Sequence, residues 1–192
     1  MRTIETLKHE HRVIEIGLDV LEVMADRLTY EEFVPTDRIQ ALLAFFRMFA
    51  DWCHDAKEEG VLFPALKQLC IHGERSTISV MLFEHREARA LLHRMSDAVP
   101  QLANRAARTQ FVQAAHSYVQ LLRDHIIKED NVLFPVAESL LADQDTQLSE
   151  ACELNEYAVG EGLQEGFYQL IRDLEQEFLG ENATHEYACV TA

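Results

Sequence analysis

The stretch His54-Asp55-Ala56-Lys57-Glu58-Glu59-Gly60-Val61-Leu62-Phe63-Pro64-Ala65-Leu66 returns as His125-Ile126-Ile127-Lys128-Glu129-Asp130-Asn131-Val132-Leu133-Phe134-Pro135-Val136-Ala137. Both copies place a Glu four residues after the His and close on Val-Leu-Phe-Pro. At 3.6 residues per turn, positions i and i+4 lie on one helix face, one above the other. Each copy therefore aims an imidazole and a carboxylate into the same small volume. Two such helices, joined by two partners, predict a pair of metal ions held in a helical core.

The partners lie upstream of each copy. Residues 3–28 read as a first helix, because Ile4, Leu7, His11, Ile14, Leu18, Leu21, Ala25 and Leu28 step by three and four. A loop holding Pro35 follows, and Thr36 or Asp37 is placed to cap a second helix from Asp37 to about Cys70. Pro64 should kink that helix or restart it, and His72-Gly73 reads as its stop. A third helix is expected from Ser76 or Thr77 to Val99, with seam Ile78, Met81, His85, Ala88, Leu92, Met95 and Val99. A fourth spans Leu102 to Leu141, with seam Phe111, Ala114, Tyr118, Leu121, His125, Glu129, Val132 and Val136. Four long amphipathic helices with short connections predict an all-α, up-down-up-down four-helix bundle over residues 1–142.

Residues 143–192 form a distinct acidic extension, with 12 acidic and 1 basic side chains against 21 and 16 in the rest of the chain. Leu163, Phe167, Leu170, Leu174 and Phe178 make it helical in pattern. Gly160, Gly162 and Gly166 predict a kink or two shorter helices, and the residues after Leu179 should fray. A solvated helix face accounts for the charge run, and the spacing of a calcium loop is missing.

The same periodicity sorts the nine histidines. His11, His54, His85 and His125 fall on, or within half a turn of, an apolar seam, one per helix. His9 and His116 are turned about 200° and 180° away from their neighbouring seam histidines and should face solvent. His93 lies at the edge of its seam, His72 about 27 Å along the helix from His54, and His185 in the extension. A lone seam His is ordinarily a satisfied core residue. Four of them, two with Glu at i+4, put six ionisable groups into an apolar core, which costs several kcal/mol each unless they are paired or ligate metal. Metal is the expectation.

Imidazole with carboxylate suits iron, manganese or zinc, and the lack of paired thiolates argues against an iron–sulfur cluster or a Cys-type zinc site. Glu58 and Glu129 are the expected bridges, with His11, His54, His85 and His125 as terminal ligands. Cys53, Cys70, Cys152 and Cys189 are widely spaced and read as reduced thiols. A net charge of −16 excludes nucleic acid and anionic membranes as natural partners. With no apolar leader or membrane-spanning run, the chain reads as cytoplasmic.

The ordered set His11, His54-x-x-x-Glu58, His85, His125-x-x-x-Glu129, with its two Phe-Pro exits, resembles the hemerythrin-like, or HHE cation-binding, family over residues 3–141. The resemblance implies a four-helix bundle around a non-heme di-iron centre bridged by carboxylates and an oxo or hydroxo group. Members of that family bind oxygen or nitric oxide, sense iron, or repair iron centres. Oxygen carriers have a second His four residues after the third-helix ligand, where this chain has Arg89. They also take a carboxylate at the place of Asp130, although Glu129 repeats the geometry of Glu58. Glu15 is either a further ligand or, as expected for a buried charge, the partner of Arg89. Glu10 and Glu84 either orient neighbouring ligands or, by default, face solvent.

The loss of one His shifts the expectation from oxygen carriage to reactivity toward nitric oxide, oxygen or peroxide in stress response, with an unidentified electron donor. Iron-centre repair members are similar too, but bring a cysteine-bearing N-terminal segment. The alternative is a non-enzymatic iron- or oxygen-binding sensor whose acidic extension docks a partner.

Overall fold

The computed structural model describes residues 1–69, 74–159 and 163–180, and these are almost entirely helical. Helix α1 spans Arg2–Thr29, a little beyond the predicted 3–28, and every residue of its predicted seam is buried. The second rod begins at α2 (Thr36–Phe45), preceded by Pro35 with no side-chain cap, so neither Thr36 nor Asp37 plays the expected capping role. It continues through two π-helical segments, Phe46–Asp55 and Glu58–Leu62, into α3 (Phe63–Leu69). The His72-Gly73 stop lies outside the described residues.

Helix α4 (Glu74–Ala98) starts two residues before Ser76, and its predicted seam is buried from Ile78 to Val99. A short 3-10 turn at Val99–Gln101 precedes α5 (Arg105–Lys128). This helix starts later than Leu102 because the Asn104 side chain accepts from the Ala106 and Ala107 amides, and so caps it. A third π segment, Glu129–Leu133, leads into α6 (Phe134–Leu141). The extension supplies two helices, α7 (Asp145–Val159) and α8 (Leu163–Leu179).

The π segments at Glu58–Leu62 and Glu129–Leu133 each stop just short of the Phe-Pro pair. Proline offers no amide hydrogen and its ring crowds the carbonyl four residues back. Widening the preceding turn relieves that crowding without ending the helix. Pro64 thus neither ends nor restarts the rod.

Helix α1 lies against α5, α5 against α4, α4 against the first π segment, and that segment against α1. Two apolar clusters fill this arrangement. One gathers Val13 to Leu28, Ile39 to Ala50, Ala88 to Val99 and Phe111 to Ile126; the other gathers Ile4, Leu7, Leu62, Phe63, Leu66, Ile78, Met81, Leu133 and Phe134. The polar seam residues sit between them on every rod. Helix α8 packs along α1 and α2 through Ile171, Leu174 and Phe178, while α7 reaches α1 and the first two π segments. Gly17 marks the close approach of α1 to the second rod, since a Cβ there would stand 2.9 Å from the Phe45 ring.

Candidate metal centre

His11, His54, His85 and His125 are buried at one level, together with Glu58 and Glu129, whose side chains are fully shielded. They form two overlapping groups of converging donors: His11, His54, Glu58 and Glu129, and Glu58, His85, His125 and Glu129. Each glutamate looks both ways. Glu58 Oε1 lies 3.8 Å from His54 Nε2 and its Oε2 3.4 Å from His85 Nε2. Glu129 Oε1 lies 3.1 Å from His125 Nε2 and its Oε2 3.3 Å from His11 Nε2.

The other ring nitrogen of each histidine is held by a carboxylate. His11 Nδ1 donates to Asp130 at 2.8 Å, His54 Nδ1 to Glu10 at 2.9 Å, His85 Nδ1 to Glu59 at 2.8 Å and His125 Nδ1 to Glu84 at 3.0 Å. That fixes the tautomer and leaves every Nε2 lone pair facing the centre. Behind each carboxylate stands a cation: Arg12 on Asp130, Lys57 on Glu10, Arg89 on Glu59 at 2.7 Å and Lys128 on Glu84. Rings and aromatic side chains then pack in matching pairs. The Phe of each repeat copy stacks on a histidine of another rod, Phe63 on His85 at 5.9 Å and Phe134 on His11 at 5.3 Å between centroids.

Burial opposes a charged ring at His11, yet Asp130 and Glu129 outweigh it and raise its pKa to about 9. Burial is likewise outweighed at His85 by Asp55, Glu58 and Glu59, reaching about 11, and at His125 by Glu129 and Glu84, reaching about 10. At Glu10 burial favours the neutral acid, but Lys57 and His54 bring it down to about 2. The hydrogen bond from His85 holds Glu59 down at about 2 as well. Burial pushes Asp55 up to about 6. The cluster attracts positive charge strongly.

The chemistry of the donors says which positive charge fits. His11 Nε2, His54 Nε2 and both oxygens of Glu58 and of Glu129 are buried without a hydrogen-bond partner. The contacts above are close, but they are not aligned as hydrogen bonds. His85 Nε2 faces His125 Nε2 at 3.1 Å, and with both Nδ1 hydrogens already donated there is room for one proton at most between these two nitrogens. Orphaned buried polar atoms are rare and costly. Two cations, each among two imidazole nitrogens and two carboxylate oxygens, would satisfy all of them.

All six expected ligands converge here. The remaining candidates are placed differently. Asp130 turns away from the centre onto His11 Nδ1, while Glu129 occupies it. Glu15 pairs with Arg12 at 2.9 Å, and Arg89 pairs with Asp51 at 2.6 Å and with Glu59; the expected Glu15–Arg89 pair does not form. Arg12, one residue past His11, is the nearer cation on the same helix face as Glu15. Glu10 and Glu84 are buried, against the default of exposure, because they face the histidines of neighbouring rods. His9 is half-buried beside Tyr168 of α8, which covers the face expected to be open. His93 and His116 are exposed and pair with Asp97 and Asp26.

Sequence reasoning missed Asp55, Lys57, Glu59 and Lys128. Lys57 and Lys128 occupy matching places in the repeat, and that match was the available signal.

A buried His and Glu centre on this helical frame defines a metal-binding class of protein. The family model of the hemerythrin HHE cation-binding domain matches residues 2–137, and the chain belongs to that family. An uncharacterised protein of Mycobacterium tuberculosis is 27% identical over 141 residues, covering 72% of this chain and 54% of the relative. The iron-sulfur cluster repair protein YtfE of Escherichia coli is 36% identical over 88 residues, covering 44% of this chain and 40% of that protein. The chain thus spans about half the length, or less, of these curated relatives. No solved structure matches it.

Proposed function

We propose that the chain is an up-down-up-down four-helix bundle over residues 1–142, with residues 143–192 as an acidic extension, holding two iron ions. Glu58 and Glu129 with His11 and His54 would hold one ion, and the same two glutamates with His85 and His125 the other. The six orphaned donor atoms of His11, His54, Glu58 and Glu129 carry this reading. An oxo- or hydroxo-bridged iron pair would supply one-electron and two-electron redox chemistry toward nitric oxide, oxygen or peroxide in a nitrosative or oxidative stress response. Manganese or zinc fits the same donors less well for such chemistry.

The chain's own residues supply the rest. The four Nδ1–carboxylate bonds hold the imidazoles in the metal-binding tautomer. The two apolar clusters above and below keep bulk water from a small neutral ligand. Arg89, at the place where oxygen carriers have a further His, is occupied by Asp51 and Glu59 and contributes no ligand atom. Among the described residues, no helix is long and apolar enough to cross a membrane, which fits the proposed cytoplasmic setting.

Iron loading under anaerobic conditions should give two ions per chain, and stopped-flow spectroscopy of the reduced protein should show turnover with nitric oxide or peroxide. Uptake of no iron would overturn the metal reading. Stable adducts without turnover would favour the second reading, a non-enzymatic iron- or oxygen-binding or sensor protein whose acidic extension docks a partner.

A further inference from the structure

The twofold repeat is broken at one inward-reaching position. Asp55, next to His54, corresponds to Ile126, next to His125. Asp55 closes the ten-residue π segment Phe46–Asp55, whereas Ile126 lies in the regular helix α5. The wider turn separates successive side chains by a smaller angle. His54 and Asp55 can therefore both reach the core from adjacent positions. Asp55 keeps only 13% of its side chain exposed, and its Oδ1 lies 3.8 Å from His85 Nε2. That same nitrogen lies 3.4 Å from Glu58 Oε2 and 3.1 Å from His125 Nε2. Donors about 2.1 Å from one six-coordinate ion lie roughly 3 Å apart when adjacent and roughly 4.2 Å when opposite. Asp55 Oδ1 falls within that span of His85 Nε2, and the donors it converges with are His85 and Glu59.

Resting on the di-iron reading, we propose that Asp55 is a seventh protein ligand, serving only the ion between His85 and His125. That position then has three carboxylates and two imidazoles, against two and two at the His11–His54 position, where the matching residue is apolar Ile126. The rival role, charge partner of Arg89, falls first to Asp51 and Glu59. Arg89 meets Asp51 at 2.6 Å and Glu59 at 2.7 Å but stands 3.7 Å from Asp55 Oδ2.

The test is Mössbauer spectroscopy and iron titration of the full chain loaded with iron-57, for the unaltered protein, Asp55→Asn, Asp55→Ile and Asp55→Glu. The unaltered protein should give two inequivalent iron sites. Asp55→Asn and Asp55→Ile should change the parameters of one site alone and weaken binding of one ion by at least about tenfold; Asp55→Glu should restore both. Asp55→Ile copies the other half of the chain and keeps the test open should Asp55→Asn fold poorly. Two ions bound with unchanged spectra and affinity in Asp55→Asn or Asp55→Ile would overturn the Asp55 ligand alone. An unaltered protein that binds no iron would overturn the metal centre itself.

Discussion

Glu10 and Glu84 have the same job on opposite sides of the centre but different surroundings. Glu10 and its cation Lys57 are both shut off from solvent, whereas Lys128, behind Glu84, keeps 38% of its side chain exposed. Removing one partner of a buried ion pair strands the other charge at a cost of about 3–5 kcal/mol, while an exposed pair contributes about 0–1 kcal/mol. Glu10→Gln should therefore lower stability to chemical denaturation far more than Glu84→Gln. Both should weaken metal binding by roughly 10–100-fold, because His54 and His125 each lose the acceptor that orients them. Equal stability losses in the two variants would contradict the assignment of Lys57 as a buried counter-charge. Gly17 makes a separate residue-scale demand. Gly17→Leu should destabilise by about 1–3 kcal/mol in thermal unfolding, since its side chain would enter the space of Phe45 and Phe46.

Helices α1 and α7 meet through a long-range cap. Asp145, the first residue of α7, accepts from the Arg2 and Thr3 amides and from the Thr3 hydroxyl, while Arg2 pairs with Glu153. Asp145 and Glu153 thus hold the first turn of α1. Burial would favour the neutral acid, but the Thr3 and Arg2 bonds outweigh it and hold the Asp145 carboxyl below the ordinary aspartate range. A lowered folded-state pKa gives stability that is fully present above the unfolded value and is lost as pH falls through the folded one. Asp145→Ala should cost about 1 kcal/mol near pH 7, and the difference from the unaltered protein should vanish at strongly acidic pH. A constant difference across that range, measured by urea unfolding, would remove the cap from the explanation. The same scale shows what the sequence made legible. The seams of α1 and α4 were readable to the residue, because both helices keep a regular period. Beyond Glu129 the predicted seam of Val132 and Val136 is off by one: Leu133, Phe134, Ala137 and Leu141 are buried, and Val132 is exposed. The widened turn carries one surplus residue, and no 3.6-residue template reveals that. Four of the six converging side chains were visible because His at i and Glu at i+4 survive within single turns, and His11 and His85 because they lie on the regular seams of α1 and α4. For the carboxylate supports Glu10 and Glu84 the sequence left that role open beside solvent exposure, since they act between rods.

For the whole molecule, the balance of charge couples folding to metal. Four histidines, the two glutamates between them and four supporting carboxylates are packed between apolar clusters, with four cations behind them. Binding to the folded chain alone stabilises it by mass action, about 2.7 kcal/mol at a free metal concentration one hundred times Kd. Iron loading should raise the thermal midpoint accordingly, and chelation should return it to the metal-free value. A midpoint indifferent to iron would mean that the centre does not form. Truncation after residue 142 tests the proposed division, since it uncovers the α1 and α2 faces that α8 covers and removes the Asp145 cap. The shortened chain should melt lower while retaining its iron if residues 1–142 are a unit.

The widened turn at Glu129–Leu133 also gives this chain slack in its length. Deleting one residue from a regular helix swings everything beyond it by about 100°. Removing exposed Glu87 from α4 should therefore throw Ala88, Leu92 and Met95 out of the core and unfold the protein. In the π segment the surplus residue can be given up. Removing exposed Asn131, together with Pro135→Ala to lift the proline's own need for a wide turn, should close the segment to an ordinary helix. Leu133, Phe134, Ala137 and Leu141 would keep facing inward, and circular dichroism should show a folded chain that unfolds cooperatively. If the Asn131 deletion proves as disruptive as that of Glu87, the turn holds no spare residue.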